Sequence, residues 1–550
     1  MEDAADTFLP DYRFRCTPTT GRFDSVTNAH GLYSTEQFVL RLSPVVHRIL
    51  ASHEPGIQTN GALGFEGAKA MSTLLHETIH WWQHIGTTHG LIFSLNYPVR
   101  SHATHFHLKE LVTRDGFKKS VVQQAAHLGR SGPTGYGTTS GLANTIVNNH
   151  FDLMTFRAYS HGPDATKYFA ENALFETVGH AFHMTYAHTV NQLASTVDKD
   201  YATFDHPRDW AVGFHELTER RVDGYYYGSP VGLWPFGTRE IFEGQACFAQ
   251  IQFLSHACEH RLSIDDYRSL GLLHGVYETA FREFLKLTEA APPDRPDDPR
   301  IGLFLLICDL ALNPGVGFPF ELGNNHEHFM LHVTPAARFS RYCRVVALKH
   351  PELLSAVRDY SRDEYVTVSE TLCHVLGDRS PMEIAERCSN WFAGPFAGLR
   401  GEYERYVFQP ENFVLRHLLA HFLAFQEDKV TCPEFFCWPG AWLAGDNLGQ
   451  SQVEMFDKHG ALFTDKEEGE TIYPRIQKWR DEKNVYDTFN DFYGHNVLFE
   501  LADQWITKPG PFVFDLDWLS SSGSETEVRA FIRRQFKAAY GLDIESVTLL

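Results

Sequence analysis

The chain carries two histidines and a glutamate within one short stretch, His76-Glu77-Thr78-Ile79-His80. On an α-helix, residues four apart lie on the same face, one turn above the other. Two imidazoles placed in this way can bind one Zn²⁺ ion at about 2.0–2.1 Å. The carboxylate of Glu77 would lie about 100° around the helix, where it could take a proton from a metal-bound water. The spacing therefore predicts a catalytic zinc site.

The sequence on either side predicts the helix that this chemistry requires. Between positions 64 and 85, residues that suit a buried face recur at spacings of three and four: Met71, Leu75, Thr78, Ile79, Trp82 and Ile85. A stripe of period 3.6 is typical of an amphipathic helix. His76 and His80 lie on the opposite side, and Gly86 follows as a helix stop. The alternative is an ordinary amphipathic helix whose two histidines are only hydrogen-bonded, because short motifs also occur by chance.

The His-Glu-x-x-His pattern at positions 76–80 resembles the metal-binding helix of the zincin metallopeptidases. The resemblance covers one helix, so it implies a site and a local fold but no substrate. Among zincins, the third metal ligand separates the groups. A metzincin would have glycine at position 83 and histidine at position 86, whereas this chain has Gln83 and Gly86. The resemblance therefore favours a gluzincin, in which a glutamate on a second helix completes the site.

The best candidate for that glutamate is Glu243, in the stretch Glu243-Gly244-Gln245-Ala246. This stretch is similar to the third-ligand helix of several gluzincin-like families, and its glycine would let a neighbouring helix approach closely. It departs from thermolysin-like enzymes in its spacing, since 162 residues separate His80 from Glu243. The alternatives are Glu171, Glu176, Glu216, Glu219 and His89. For a carboxylate among these, a solvated position on a helix is the ordinary role.

The composition is globular and argues against some classes of partner. A net charge of −21 argues against binding to a nucleic-acid backbone or to an anionic membrane surface. Nine irregularly spaced cysteines without a Cys-x-x-Cys pair favour reduced thiols in a cytoplasmic protein. The acidic first residues, 1–6, lack an apolar segment and therefore predict no signal peptide.

The length and one proline-rich segment predict several structural units. At 550 residues, two to four domain-sized units are expected. We predict a zincin-like metallopeptidase domain at residues 1–289 with an insertion between its zinc helices. A proline-rich linker at residues 290–300 and a helix-rich accessory or substrate-recruiting region at residues 301–550 follow. The predicted fold class is α+β, predominantly helical, and residues 91–97 are predicted to form a short strand.

The features together predict a zinc-dependent peptidase. The resemblance implies that His76, His80 and Glu243 hold Zn²⁺ and that Glu77 is the general base. We expect a peptide or protein substrate, with no nucleic acid or membrane as partner.

Two other functions stay open at this stage. A zinc-dependent amidase or deformylase could use the same motif on a smaller substrate. A catalytically silent zincin-fold protein could instead bind a protein partner through residues 301–550. A tyrosine within residues 225–227 is a candidate for stabilising the oxyanion of a tetrahedral intermediate, although an aromatic packing segment is its more ordinary role.

Overall fold

The computed structural model describes residues 31–52, 64–257, 259–324, 326–444, 448–468, 471–514 and 525–550. Of these residues, 67% are helical and 4% are in strands. The prediction of a predominantly helical protein is therefore confirmed.

Twenty-three α-helices lie in the described ranges. They are α1 Pro44–Ala51, α2 Gly64–Ile85, α3 Thr88–Asp115, α4 Val121–Ser131, α5 Thr139–His161, α6 Pro163–Ala170, α7 Val178–Val197, α8 Trp210–Glu219, α9 Thr238–Ala257, α10 Ile264–Ser269, α11 Val276–Thr288, α12 Pro299–Leu312, α13 Phe329–Val333, α14 Pro335–Lys349, α15 Arg362–Leu376, α16 Pro381–Ala393, α17 Ala397–Arg405, α18 Phe413–Thr431, α19 Pro433–Cys437, α20 Pro439–Trp442, α21 Gln450–Lys458, α22 Glu482–Thr507 and α23 Glu525–Tyr540.

Six short strands accompany these helices: β1 Gly31–Ser34, β2 Val39–Leu42, β3 Lys118–Lys119, β4 Phe463–Thr464, β5 Tyr473–Pro474 and β6 Thr548–Leu549. Four of them form a sheet in the order β1-β2-β4-β5, with β1 at one edge. β1 and β2 are antiparallel, whereas β2 and β4 are parallel, with Val39 opposite Phe463. The sheet therefore joins the start of the described chain to a segment more than four hundred residues later.

The strand predicted at residues 91–97 is wrong, because these residues belong to α3. The side chain of Thr87 caps this helix by accepting a hydrogen bond from the backbone N–H of Gly90. The first turns of α3 are buried on all sides among α2, α5 and α7. Ser94 and Asn96 alternate with apolar residues as in a strand, but both are buried in α3, where they donate hydrogen bonds to the backbone carbonyls of His84 and Leu153.

The helix predicted over residues 64–85 is confirmed as α2. It packs against α9, α3, α1 and β1. Trp82, on its apolar stripe, lies among four phenylalanine rings, those of Phe425, Phe435, Phe436 and Phe456, with centroids 5.3–6.1 Å away. Burying each such aromatic side chain contributes about 1.5–3 kcal/mol, so tertiary packing holds the helix in position.

One large hydrophobic core includes buried residues on both sides of positions 290–300. A smaller core lies between α3, α4, α5, α22 and α23. The division of the chain into domains stays a prediction. Among the described helices, none combines the length and the apolar character that crossing a membrane requires.

Candidate metal centre

The structure brings His76, His80 and Glu243 together in one cluster. The two Nε2 atoms of the histidines are 3.1 Å apart. Oε2 of Glu243 lies 3.5 Å from Nε2 of His76 and 3.4 Å from Nε2 of His80. Tetrahedral ligands at about 2.0–2.1 Å from a zinc ion are about 3.3–3.4 Å from one another. The three donor atoms are therefore spaced like three corners of a zinc tetrahedron, and the donor set fits this metal.

The cluster forms where α2 and α9 pack side by side in opposite directions. Ser72 and His76, in the middle of α2, face Gln250 near the end of α9. Gln83, further along α2, faces residues 242 and 245, nearer the start of α9. The glycine after Glu243 faces α11, because a Cβ at Gly244 would lie 3.5 Å from Cβ of Ala280.

The side chain of Gln250 orients His76. Its Oε1 accepts a hydrogen bond from Nδ1 of His76 at 3.1 Å. Its amide nitrogen donates to the hydroxyl of Ser72, one turn before His76, at 3.1 Å. An imidazole that donates from Nδ1 presents the lone pair of Nε2, so this contact fixes the tautomer that binds a metal.

The side chain of Gln83 does the same for His80. Its Oε1 accepts from Nδ1 of His80 at 2.8 Å. Its amide nitrogen donates at 2.9 Å to the backbone carbonyl of Phe242 and at 2.9 Å to Oε1 of Gln245. Because these two residues flank Glu243, Gln83 ties the second histidine to the helix that carries Glu243.

Glu77 lies beside the cluster without joining it. Its carboxylate forms no hydrogen bond with any described residue, and its side chain is almost completely buried, with 6% exposure. The start of β1 covers it, since a Cβ at Gly31 would lie 2.6 Å from Cγ of Glu77. Burial raises the pKa of Glu77, an effect that His76 and His80 oppose and Glu243 reinforces. A buried carboxylate without a partner suits a group that must accept and release a proton.

The electrostatics of the cluster depend on the buried Glu243 carboxylate. Burial opposes its ionisation, but the two histidines hold the pKa of Glu243 far below its usual range. Burial also disfavours the charged form of His80 and so lowers its pKa, but Glu243 outweighs this effect and brings the pKa of His80 to about 9. The protein thus surrounds one position with a carboxylate and with one imidazole, that of His80, which it stabilises as a cation. A metal cation bound there would take the place of the proton on His80, because histidine binds metals in its neutral form.

Two residues that the sequence analysis missed stand on the solvent side of the cluster, Tyr277 and Arg239. Tyr277, in the first turn of α11, has its ring edge-on to that of His76, with centroids 5.9 Å apart. Its hydroxyl has no hydrogen-bond partner in the part of the chain that the structure describes. Burial and the nearby carboxylates of Glu243 and Glu77 raise the pKa of Tyr277, so the hydroxyl keeps its proton. No local pattern in the sequence marks either residue.

The structure does not bring the alternative third ligands to the two histidines. Glu176 lies 3.7 Å from His180, and Glu171 is exposed after α6. Nε2 of His89 lies 3.3 Å from the hydroxyl of Thr238, and burial lowers the pKa of His89 to about 3. Glu216 and Glu219 are exposed on α8. No second trio of metal-ligating side chains converges within the described residues.

The tyrosines at residues 225–227 also lie elsewhere. The hydroxyl of Tyr225 donates to the backbone carbonyl of His326 at 3.1 Å, and its ring stacks on Phe214. Tyr226 and Tyr227 belong to the same surface turn after α8. The structure therefore gives this segment a packing role away from the cluster, and Tyr277 takes its place as the tyrosine beside the site.

Comparison of the chain with protein-family models, with curated proteins and with solved structures found no match. Any functional conclusion therefore depends on the geometry of the cluster itself.

Proposed function

We propose that this protein is a zinc-dependent metallopeptidase of gluzincin type, in which His76, His80 and Glu243 hold Zn²⁺. One observation carries the proposal. Three donor atoms from two helices have tetrahedral spacing, and beside them lies a buried carboxylate that has no hydrogen-bond partner among the described residues. A structural zinc site would be closed by four protein ligands, whereas three protein ligands are typical of a catalytic site.

Each nearby side chain has a defined role in this proposal. Zinc supplies Lewis acidity, which polarises the peptide carbonyl and makes a water molecule easier to deprotonate. Glu77 accepts a proton from that water as its oxygen bonds to the carbonyl carbon. Glu77 then passes the proton to the leaving amine as the C–N bond breaks. The hydroxyl of Tyr277 donates a hydrogen bond to the carbonyl oxygen as this oxygen gains negative charge.

The zincin-like core is part of the same proposal. It is supported by the position of α2 beside the edge strand β1 and by the third ligand on α9. A peptide or protein substrate, a cytoplasmic location and a protein partner for residues 301–550 stay predictions.

Metal analysis tests the proposal directly. We expect elemental mass spectrometry to find about one zinc per chain in the parent protein and almost none in His76→Ala or Glu243→Ala. Hydrolysis of a mixed peptide library by the zinc-loaded parent, read by mass spectrometry, would then establish the reaction. A parent protein that holds no zinc after reconstitution would contradict the proposal.

A second candidate function, a zinc-dependent amidase or deformylase, is favoured by the burial of the site. His76 and His80 are each 8% exposed, and β1 covers Glu77. Such a site admits a small substrate more easily than a long chain. Turnover of an N-formyl or N-acetyl amino acid amide, without cleavage of any library peptide, would favour this candidate over the peptidase.

A further inference from the structure

The cluster is open to solvent mainly on the side of Glu243. The side chain of Glu243 is 27% exposed, whereas those of the two histidines are each 10% exposed. Gly31 closes the side of Glu77. A substrate must therefore approach past the residues that border Glu243 on α9 and on neighbouring helices.

Arg239 lies on this open side. It is exposed and stands one turn before Glu243 on α9, so the two side chains project from the same face of the helix. Tyr277 borders the same face, because α11 packs on α9 beside Gly244. The end of α5 meets the start of α9, where a Cβ at Gly237 would lie 2.1 Å from the carbonyl oxygen of His161. Arg239 therefore stands between the cluster and the end of α5.

The guanidinium group of Arg239 has no anionic partner among the described residues. The adjacent carboxylate, Glu240, accepts a hydrogen bond from the backbone N–H of Gly237 at 2.7 Å. Glu243 is directed at the two histidines. In a chain with a net charge of −21, Arg239 thus has no carboxylate partner in the described part of the structure.

The positive charge of Arg239 acts on a histidine at the end of α5. Burial, followed by the charge of Arg239, lowers the pKa of His161 to about 4. The guanidinium group is therefore near the imidazole of His161, at the end of α5 that meets the start of α9.

We propose that Arg239 binds a carboxylate of the substrate close to the scissile bond, so that the site selects acidic substrates. The inference rests on the proposed hydrolytic function and adds a substrate class to it. The planar guanidinium group matches a carboxylate in a two-point contact, and charge-assisted hydrogen bonds of this kind are among the stronger ones. The carboxylate could be an acidic side chain or the C-terminus of a peptide, and both offer the same chemistry to Arg239.

Two matched probes test this inference without turnover. The monohydroxamate of succinic acid carries a free carboxylate, and its analogue with a terminal carboxamide does not. Calorimetry would measure the binding of both to the zinc-loaded parent, to Arg239→Gln and to Arg534→Gln. The last variant makes the same change at an exposed arginine on α23. We expect the parent to prefer the carboxylate probe by about tenfold or more, Arg239→Gln to lose this preference, and Arg534→Gln to keep it.

The outcomes separate the two proposals. Equal binding of both probes to the zinc-loaded parent, or a preference that survives in Arg239→Gln, would overturn the role of Arg239 and leave the metal site intact. Failure of the protein to hold zinc or to bind either probe would overturn the proposed function and this inference with it.

Peptide cleavage identifies the source of the carboxylate. Four peptides of one sequence would carry glutamate or glutamine beside the cleaved bond, each with a free or amidated C-terminus. Faster cleavage that follows the glutamate would assign an acidic side chain. Faster cleavage that follows the free C-terminus would assign terminal recognition. Rates that respond to neither change would contradict the inference.

Discussion

Another buried pair of histidines, on α18, has the spacing of the candidate site, and the two pairs differ in the side chains that face them. His417 and His421 lie on α18 with ring centroids 4.7 Å apart, against 4.8 Å for His76 and His80 on α2. Both pairs are buried. The α2 pair faces a carboxylate from α9, whereas the α18 pair faces aromatic rings, among them Phe408 at 5.0 Å from His417.

The charges of the two pairs follow from these surroundings. The carboxylate of Glu243 outweighs burial and brings the pKa of His80 to about 9. Without a carboxylate, burial lowers the pKa of His417 to about 3 and that of His421 well below its usual value. Nε2 of His417 lies 3.1 Å from the hydroxyl of Tyr406, so this histidine is a neutral, hydrogen-bonded core residue. The i, i+4 spacing alone therefore does not distinguish the two pairs, and the carboxylate of Glu243, from a distant helix, makes the difference.

The largest effect that we expect is on the rate of hydrolysis, which should depend on α2 and not on α18. Position 77 on α2 is a glutamate, and the equivalent position on α18 is Leu418. Glu77→Gln should lower the rate of hydrolysis by at least about 10²–10⁴-fold and leave zinc content unchanged, because general acid–base catalysis contributes factors of this size. Leu418→Met, a conservative change on α18, should leave the rate nearly unchanged. Retained activity in Glu77→Gln would contradict the mechanism.

Metal binding should distinguish the histidine pairs themselves. His80→Ala should abolish stoichiometric zinc binding, because it removes one of three protein ligands. His421→Ala should destabilise the protein through a buried cavity but leave about one zinc per folded chain. Elemental analysis of the folded fraction, isolated by gel filtration, gives the result. Loss of zinc in His421→Ala, with zinc kept in His80→Ala, would contradict the proposed site and place the metal at the α18 pair.

The two glutamines that orient the α2 histidines give a smaller effect. Gln83→Leu and Gln250→Leu should each weaken zinc binding by about 10–100-fold, because outer hydrogen bonds fix the ligand tautomer. Gln426 offers a matched control on α18, where its amide donates to the carbonyl of Gly86 at 2.7 Å. Competition with a chromophoric chelator measures the affinity. Gln426→Leu should lower thermal stability without changing zinc affinity, and an equal loss of affinity in all three variants would indicate general destabilisation instead.

The smallest effect is the contribution of His417, in the α18 pair, to the pH dependence of stability. The pKa of His417 is about 3 in the folded protein, whereas an unfolded histidine has a pKa of about 6.5. Between pH 7 and pH 5 the unfolded chain binds a proton that the folded chain does not, so stability falls as the pH falls. The loss from this one residue is about 2 kcal/mol. Urea unfolding at both pH values should show a correspondingly smaller loss in His417→Gln.

An exposed histidine provides the control for that measurement. His127 lies on the solvent side of α4. The variant His127→Gln should lose as much stability as the parent between pH 7 and pH 5. If His417→Gln behaves in the same way as this control, the folded protein already accepts a proton at His417, and the contrast between the two pairs is weaker than the structure indicates.

Local features of the sequence predict the parts of the site that lie on one helix. The stripe through Met71, Leu75 and Ile79 predicts α2, and the four-residue spacing predicts that His76 and His80 share a face. The stretch after Glu243 predicts a close helix contact, which the structure shows at Gly244. The strand predicted at residues 91–97 is wrong because buried polar residues, Ser94 and Asn96, alternate with apolar ones there and conceal the period of the helix.

The chain's local pattern is enough to predict a helix that presents two histidines and a glutamate, because the periodicity of an α-helix is a local property. The tertiary structure alone decided which of several glutamates meets them, since the 162 residues between His80 and Glu243 set no distance in space. It also decided that Tyr277 lies beside His76 and that the α18 histidines face aromatic rings. These are properties of packing between helices, and packing joins residues that no local pattern connects.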